Sequence, residues 1–254
     1  MQATFKQTAI KAAKEAGKIQ LRYFAKGIKK SRKKDDSFVT KADIESSDKI
    51  RHIILKRFPE HNILCEEYGK SNRKSGYKWI IDPLDGTHNF IMDNPLFGAS
   101  IALEHEGEIV LGVIYLPVLK RLYYAEKGKG AFCNGKRIKV NNETDLKKCL
   151  FMFDAKLRSK TDMKIRILKK LAKLTWRFRV YGAAVYHSLL VAEGKAGLNI
   201  DFDSNSWDHS AALLMVEEAG GKVTDINGKK WNPYMEDYIA SNGKIHSKVL
   251  NVLK

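Results

Sequence analysis

Two aspartates three residues apart, Asp82 and Asp85, close an apolar run in the stretch WIIDPLDGTHNF from Trp79 to Phe90. Trp79, Ile80 and Ile81 read as a buried strand, so the carboxylates emerge where that strand stops. Two carboxylates crowded at a buried strand end repel each other and resist desolvation unless a cation lies between them. Oxygen-only donors of this kind suit a hard ion such as Mg²⁺. The turn that follows, Gly86-Thr87-His88-Asn89-Phe90, offers backbone N–H groups at a helix start, where an anion is favoured. A metal beside an anion cradle is the layout that phosphate chemistry needs.

Three more acids lie at element ends. Glu66 and Glu67 follow a short strand, Asn62 to Cys65, and Asp208 opens a helix in Ser206-Trp207-Asp208. Each has a plainer reading: Asp208 as a helix cap, Glu66 and Glu67 as solvated loop charge. That reading is weak for Asp82 and Asp85, whose apolar flanks make paired acids costly without a cation. His88 and His209 flank these acids, and His88 is expected to face outward or to pack.

The elements that position these groups follow from periodicity. Phe5, Ala9, Ala12, Ala16, Ile19 and Tyr23 give a first helix to about Phe24, and Ile44 to Ile54 a second from about Asp43 to Phe58. Lys70 to Lys78 reads as a surface loop, with the segment between Glu67 and Trp79 expected to be mobile. Strands follow at Ala99–Leu103, Ile109–Tyr115, Leu122–Ala125 and near Ala131-Phe132, and Asn134-Gly135 signals a two-residue hairpin before Arg137–Val140. This half is two helices on a largely antiparallel sheet. The second half alternates: strands at Leu150–Phe153, Arg177–Tyr181, Leu198–Phe202, Lys222–Thr224 and Tyr238–Ala240, with helices at Met163–Leu174, Ala183–Glu193 and Trp207–Ala219. That is α/β order. The boundary falls near residues 141–147, giving an α+β half at 1–145, an α/β half at 146–254 and one cleft shared by both.

At 254 residues, 44% of them hydrophobic, the chain has enough apolar material for a sizeable core. No run is long enough to span a membrane and the N-terminus has no apolar signal core, so a cytoplasmic enzyme is expected. Cys65, Cys133 and Cys149 are odd in number and without CxxC spacing, which argues for free, packed thiols. The net charge of +17 is concentrated in KGIKKSRKK (Lys26 to Lys34) and in twelve Lys or Arg between Lys147 and Arg179. Such surfaces attract phosphorylated metabolites, nucleic acid or acidic partners, and a merely solvated lysine-rich surface accounts for them equally. No RNP-type aromatic pattern, GxxG loop or helix-turn-helix signal supports a dedicated nucleic-acid module.

Taken together, these motifs resemble the inositol monophosphatase family of Mg²⁺-dependent sugar phosphatases. WIIDPLDGTHNF is similar to that family's first motif and SWDHSAALLMVEEAGG, Ser206 to Gly221, to its second. GAAVYHSLLVAEGKAG (Gly182 to Gly197), SFVTKAD (Ser37 to Asp43) and CEEYG (Cys65 to Gly69) fit in order and spacing. The resemblance covers essentially the whole chain. It implies a layered αβαβα sandwich and two to three Mg²⁺ ions per site, with Mn²⁺ a possible substitute. Glu66, Asp82 and the Leu84 carbonyl would hold the first ion; Asp82, Asp85 and Asp208 the second. Thr87, hydrogen-bonded to Asp43, would help Glu66 activate the attacking water, and Glu67 would act from just outside the ligand set. The N–H groups of Gly86 and Thr87 would bind phosphate; Gly182, Ala183, Ala184 and Asp201 would meet the substrate's hydroxyls.

The implied activity is hydrolysis of a small sugar or polyol monophosphate, with myo-inositol 1-phosphate the first expectation. Fructose 1,6-bisphosphate, histidinol phosphate and nucleoside 3′,5′-bisphosphates are rivals within the same chemistry. The 28.9 kDa mass favours the monophosphatase branch over the larger nucleotidase branch. A different class of reading adds binding to RNA or the transcription machinery. A homodimer, a small phosphate ester as partner and no membrane association complete the expectations. Departures from the family pattern are Cys65 before the glutamate pair, Gly197 where an aspartate is common, and Leu213 where a glycine is preferred; none removes an expected metal ligand.

Overall fold

Trp79 and Ile81 face one side of their strand and Ile80 the other, and all three are buried. A strand apolar on both faces must be covered on both, and that requirement sets the layering. In the computed structural model, residues 2–27, 29–32, 38–153 and 156–253 are described. Of the segments singled out above, Ile28, Lys33, Lys34 and Ser37 lie outside the described residues.

The elements in chain order begin with α1 (Gln2–Tyr23), β1 (Lys30–Arg32), β2 (Phe38–Thr40), α2 (Lys41–Arg57), β3 (Asn62–Cys65), β4 (Gly69–Lys70), β5 (Tyr77–Asp85) and α3 (Thr87–Ile91). Next come β6 (Gly98–His105), β7 (Glu108–Leu116), β8 (Arg121–Glu126), β9 (Gly130–Cys133) and β10 (Lys136–Arg137). The second half has β11 (Leu150–Phe153), α4 (Thr161–Ala172), β12 (Arg177–Arg179), α5 (Ala184–Ala192), β13 (Leu198–Asp201), α6 (Ser206–Glu218), β14 (Lys222–Asp225), β15 (Tyr238–Ser241) and α7 (His246–Leu253). An eight-stranded sheet has the order β10-β9-β8-β7-β6-β5-β3-β4 and is antiparallel except at β3–β5. A five-stranded sheet, β12-β11-β13-β15-β14, is parallel on one side of β13 and antiparallel on the other.

The side chains sort into five layers. Phe5, Ala9, Ala12 and Ala16 of α1 and Ile50 and Ile54 of α2 cover Trp79, Ile81, Ile101 and Val113 on one face of the larger sheet. Its other face, with Ile80, Ala102 and Ile114, packs on α5 and α6, which meet Met152, Val223 and Ala240 of the smaller sheet. Beyond that sheet, Phe151, Phe153, Leu198 and Ile200 are covered by Ile167 and Leu171 of α4 and Val249 of α7. This is the expected αβαβα sandwich. The central helix α6 is buried from His209 to Val216 because it has a sheet on each side. The expected Asn134-Gly135 hairpin is also present: Cys133 pairs with Lys136, and both loop residues have positive φ, 48° and 80°.

Several boundaries differ from expectation. Strand β5 does not stop at Ile81 but runs through Asp85, with a register shift against β6 between Asp82 and Asp85. Pro83 sits inside that bulge, where its missing N–H breaks no regular ladder, and its carbonyl accepts a 2.7 Å bond from Gln20 Nε2. The segment from Lys70 to Lys78 is not one loop, since β4 pairs back on β3 and Tyr77-Lys78 already belong to β5. Strand β10 ends at Arg137, and β12 ends at Arg179 rather than Tyr181. Helix α2 starts two residues early because Thr40 caps it, and α7 and β1 carry no signal strong enough to be read from the sequence.

Close helix-on-sheet contact requires Gly112 on β7, where a Cβ would lie 2.7 Å from the Ala211 carbonyl oxygen of α6. Gly112→Ala should therefore destabilise the fold by about 1–3 kcal/mol. Urea unfolding checks this, and a midpoint equal to wild type would contradict the packing.

Candidate metal-dependent active site

The ends of β3, β5 and β13 and the starts of α3, α5 and α6 converge on one cavity of about 360 Å³. Glu66, Asp82, Leu84, Asp85, Gly86, Thr87, Gly182, Ala183, Ala184, Asp201 and Asp208 all line it. Asp43 does not line it but reaches it through Thr87, and Glu67 lies outside the lining. Thus eleven of the thirteen expected site residues face a common space.

Local structure explains how each arrives. The Glu66 N–H donates to the Ile81 carbonyl at 3.2 Å, which extends the β3–β5 pairing one residue and sets Glu66 beside Asp82. At the bulge, Asp82 Oδ1 accepts the Leu84 N–H at 2.9 Å. Gly86 then has φ 81°, and a Cβ there would lie 2.7 Å from the Leu96 carbonyl oxygen, so only glycine fits this turn. Thr87 Oγ1 lies 3.1 Å from Asp43 Oδ1 and 3.0 Å from the Leu84 carbonyl oxygen. Asp43 is itself held by its capping box on α2, where Oδ2 accepts Thr40 N–H at 2.8 Å and Thr40 Oγ1–H at 2.5 Å. Asp208 plays the same part on α6, accepting the Asn205 N–H at 2.8 Å. The cap itself is Asn205, so Asp208 combines a helix-start role with a place in the cavity.

From the second half, the Ala184 N–H at the start of α5 donates to Asp85 Oδ1 at 3.1 Å. Asn89 Nδ2 donates to the Leu96 and Tyr181 carbonyls at 2.9 and 2.7 Å, fastening the two walls. Asp201 Oδ1 accepts its neighbour Phe202 N–H at 3.0 Å, and the buried Tyr238 hydroxyl lies 3.3 Å from Oδ2. His88 is exposed at the rim, its ring 5.1 Å from that of Phe38.

The electrostatics are those of a site with surplus negative charge. Burial, then the charges of Glu66, Asp85 and Asp208, hold the Asp82 carboxyl well above its ordinary range. Asp85 is also well raised, by burial first and Asp208 next, and the amides of Val185 and Ala184 only partly counter this. Burial raises Asp208 to about 6, against the nearby Lys156 charge, and Asp43 to about 6, against its Thr40 bonds. Asp85 Oδ2 is buried and has no hydrogen-bond partner among the described residues. Among the described residues no three acidic, imidazole or thiolate groups converge closely enough to hold a metal ion as they stand. An oxygen-only donor set with an orphaned buried carboxylate oxygen fits a hard divalent cation.

The full length of the chain, residues 1–254, matches the inositol monophosphatase family. The chain belongs to that family. It is 39% identical over 217 residues to a fructose-1,6-bisphosphatase/inositol-1-monophosphatase of Thermotoga maritima, covering 85% of this chain and 82% of the relative. It is 35% identical over 254 residues to a putative Nus factor SuhB of Neisseria meningitidis, covering 98% and 97% of the two chains. Among solved structures, the extragenic suppressor protein suhB of Bartonella henselae superposes with a TM-score of 0.95 at 32% identity, covering 99% of this chain and 98% of that one. Inositol monophosphatase family members are phosphoric monoester hydrolases that depend on metal, and the fold and acidic cavity described above are of that kind.

The departures from the family pattern have local partners. Cys65 Sγ lies 3.0 Å from Ser47 Oγ in a buried contact under Glu66. A Cβ on Gly197 would lie 2.7 Å from Cys149 Sγ, so the glycine and the cysteine fill one space. Leu213 is fully buried between the sheets. Sequence reasoning missed Phe38, Lys156, His187 and Ser204 in the cavity wall. His187 is buried, pushed down to about 4 by desolvation, and its Nε2 accepts the Tyr181 N–H at 2.8 Å. Its place in a long apolar helix pattern concealed it; Lys156 was hidden in a basic run.

A raised carboxyl pKa favours the folded state below the ordinary value of 3.8 and is lost as pH rises through the folded value. Asp82→Asn should therefore stabilise the metal-free chain, by an amount that grows as pH rises above about 4. His187, His209 and His246, each lowered to about 4, act oppositely between about 4 and 6.5 but equally in both proteins, so the difference reports Asp82 together with the acids whose charges act on it. Thermal melts with EDTA and with Mg²⁺ check it: the ion should reverse the order. A pH-independent difference would contradict the assignment.

Proposed function

We propose that this chain hydrolyses a small sugar or polyol phosphate monoester in a Mg²⁺-dependent reaction, with myo-inositol 1-phosphate as the first substrate to try. The observation that carries this is the single cavity shared by Glu66, Asp82, Asp85 and Asp208 and bordered by the Gly86-Thr87 turn. Glu66, Asp82, the Leu84 carbonyl, Asp85 and Asp208 would hold two ions, with a third near Glu66 and Mn²⁺ as a substitute. Magnesium there supplies charge neutralisation on the phosphoryl oxygens and lowers the pKa of water.

The chain's own groups do the rest. The Gly86 and Thr87 amides, at a helix start, hold phosphoryl oxygens. The Thr87 hydroxyl, fixed between Asp43 Oδ1 and the Leu84 carbonyl, orients the attacking water, and Glu66 takes its proton. Glu67 acts behind Glu66. Gly182, Ala183, Ala184 and Asp201 orient the alcohol portion. Residues 1–145 and 146–254 form the two halves that meet at this cavity.

Fructose-1,6-bisphosphatase activity is the second reading, favoured by the double name of the Thermotoga maritima relative. A transcription-related role beside catalysis rests on the SuhB relatives and the net charge of +17. Among the described residues no helix is long and apolar enough to cross a membrane. We infer a cytoplasmic homodimer; the exposed Trp176, Phe178 and Val180 along edge strand β12 supply an apolar contact surface for it.

Phosphate release from inositol, hexose, histidinol and nucleoside phosphates should require Mg²⁺, and Asp82→Asn should lower kcat at least about 10³-fold. Thr87→Ala should cost about 10²-fold, mainly in kcat. Turnover that survives EDTA, or an Asp82→Asn enzyme with wild-type rates, would overturn the proposal.

A further inference from the structure

We propose that Lys156 determines specificity by binding a second anionic group on the alcohol portion of the substrate, which makes a sugar bisphosphate a preferred substrate class. This rests on reading the cavity as a phosphatase site. Lys156 lines that cavity on the wall supplied by the smaller sheet, together with Asp201, Ser204 and Asp208. Its Nζ is 4.0 Å from Asp208 Oδ2 and 3.4 Å from the Asp203 carbonyl oxygen.

An exposed lysine is ordinarily a mobile solvated charge, but this one is delivered by a built support. Its backbone carbonyl accepts from Nζ of Lys164, a lysine whose side chain is fully buried. The same Nζ lies 3.0 Å from Asp203 Oδ2 and 3.1 Å from Ser159 Oγ. Asp203, at φ 52°, also accepts from Ser159 Oγ at 2.5 Å and pairs with Lys160 Nζ at 2.9 Å; Lys160 in turn lies 2.6 Å from Asp237 Oδ1. Two loops, the one leading into α4 and the one between β13 and α6, are thereby fastened together. The segment carrying the Lys156 ammonium and the segment leading to Asp208 form one unit.

A cation about 4 Å from a carboxylate that is to hold a divalent cation works against that ion. It becomes favourable when an anion enters the space beside it. The reacting phosphoryl group belongs at the Gly86-Thr87 turn, on the wall supplied by the larger sheet. The anion facing Lys156 is therefore a different one, carried on the leaving alcohol. A hexose with phosphates at both ends has this form, and an ammonium–phosphate contact strengthens its binding without taking part in bond breaking.

The test compares wild type, Lys156→Met and Lys156→Arg on fructose 1,6-bisphosphate and on myo-inositol 1-phosphate. Lys156→Met should lower kcat/KM for the bisphosphate at least about tenfold, through KM, and for the monophosphate less than about threefold; Lys156→Arg should recover most of the loss. Without substrate, calorimetric titration should show Lys156→Met binding Mg²⁺ up to about fivefold more tightly than wild type. Equal losses on both substrates, no loss on the bisphosphate, or weaker Mg²⁺ binding would each overturn the proposal. If wild type releases phosphate from neither ester nor from the histidinol and nucleoside phosphates, the phosphatase reading fails by itself. Equilibrium titration of fructose 1,6-bisphosphate onto the Mg²⁺-loaded proteins then decides the role of Lys156, with unchanged affinity in Lys156→Met overturning it.

Discussion

Mutual repulsion among desolvated carboxylates is the constraint around which this chain is organised. Asp82 and Asp85 are buried at the end of β5, with Glu66 and Asp208 contributing to the same field. Such a group of acids is unfavourable in any folded protein unless positive charge is supplied to it. The fold therefore carries a local instability that a bound cation or protonation relieves, and everything that holds the acids must be anchored elsewhere. That anchoring comes from the two-sided core: a sheet buried on both faces and α6 packed between two sheets.

The acids are held by devices that do not depend on the cavity. Asp43 and Asp208 are each the third helical residue of a capping box, so their orientation is set by helix initiation. Asp82 is set by the Pro83 bulge and Asp85 by the start of α5. Such devices distribute the strain of assembling like charges over four elements. They also couple the two halves, because Asp85 belongs to one wall and its donor Ala184 to the other. Neither wall keeps its chemistry if the contact between α6 and the larger sheet is loosened.

Much of this was legible in the residues. Alternation and apolar runs located nearly every strand of both sheets, and the Asn134-Gly135 turn is where its dipeptide says it should be. Paired acids at the end of an apolar run marked the site because burial of charge is costly enough to need a reason. Other features were concealed by physics that sequence patterns do not record. The apolar pattern ends the strand through Asp85 at Ile81, since a bulge containing proline resembles a turn. The long segment before Tyr77 was read as a loop, since β4 is only two residues long and is held by its neighbour. Lys156 carried no mark at all. Its significance comes from Lys164 and Asp203, far from it in pattern, and a buried lysine inside a basic run looks like one more surface charge.

The two walls of the cavity are under different physical constraints. On the larger sheet's wall, a change in side-chain length moves a carboxylate relative to the phosphoryl group, and the left-handed turn at Gly86 admits no Cβ. Substitution there alters the reaction itself. On the smaller sheet's wall the demands are shape and charge toward an alcohol, and paired changes can satisfy them. The Lys160–Lys164–Asp203 support is one such local solution, holding Lys156 from outside the cavity lining. Changes confined to the second wall would therefore retain the hydrolytic chemistry while altering which alcohol is accepted, and Lys156 on that wall is the charge this chain presents to it.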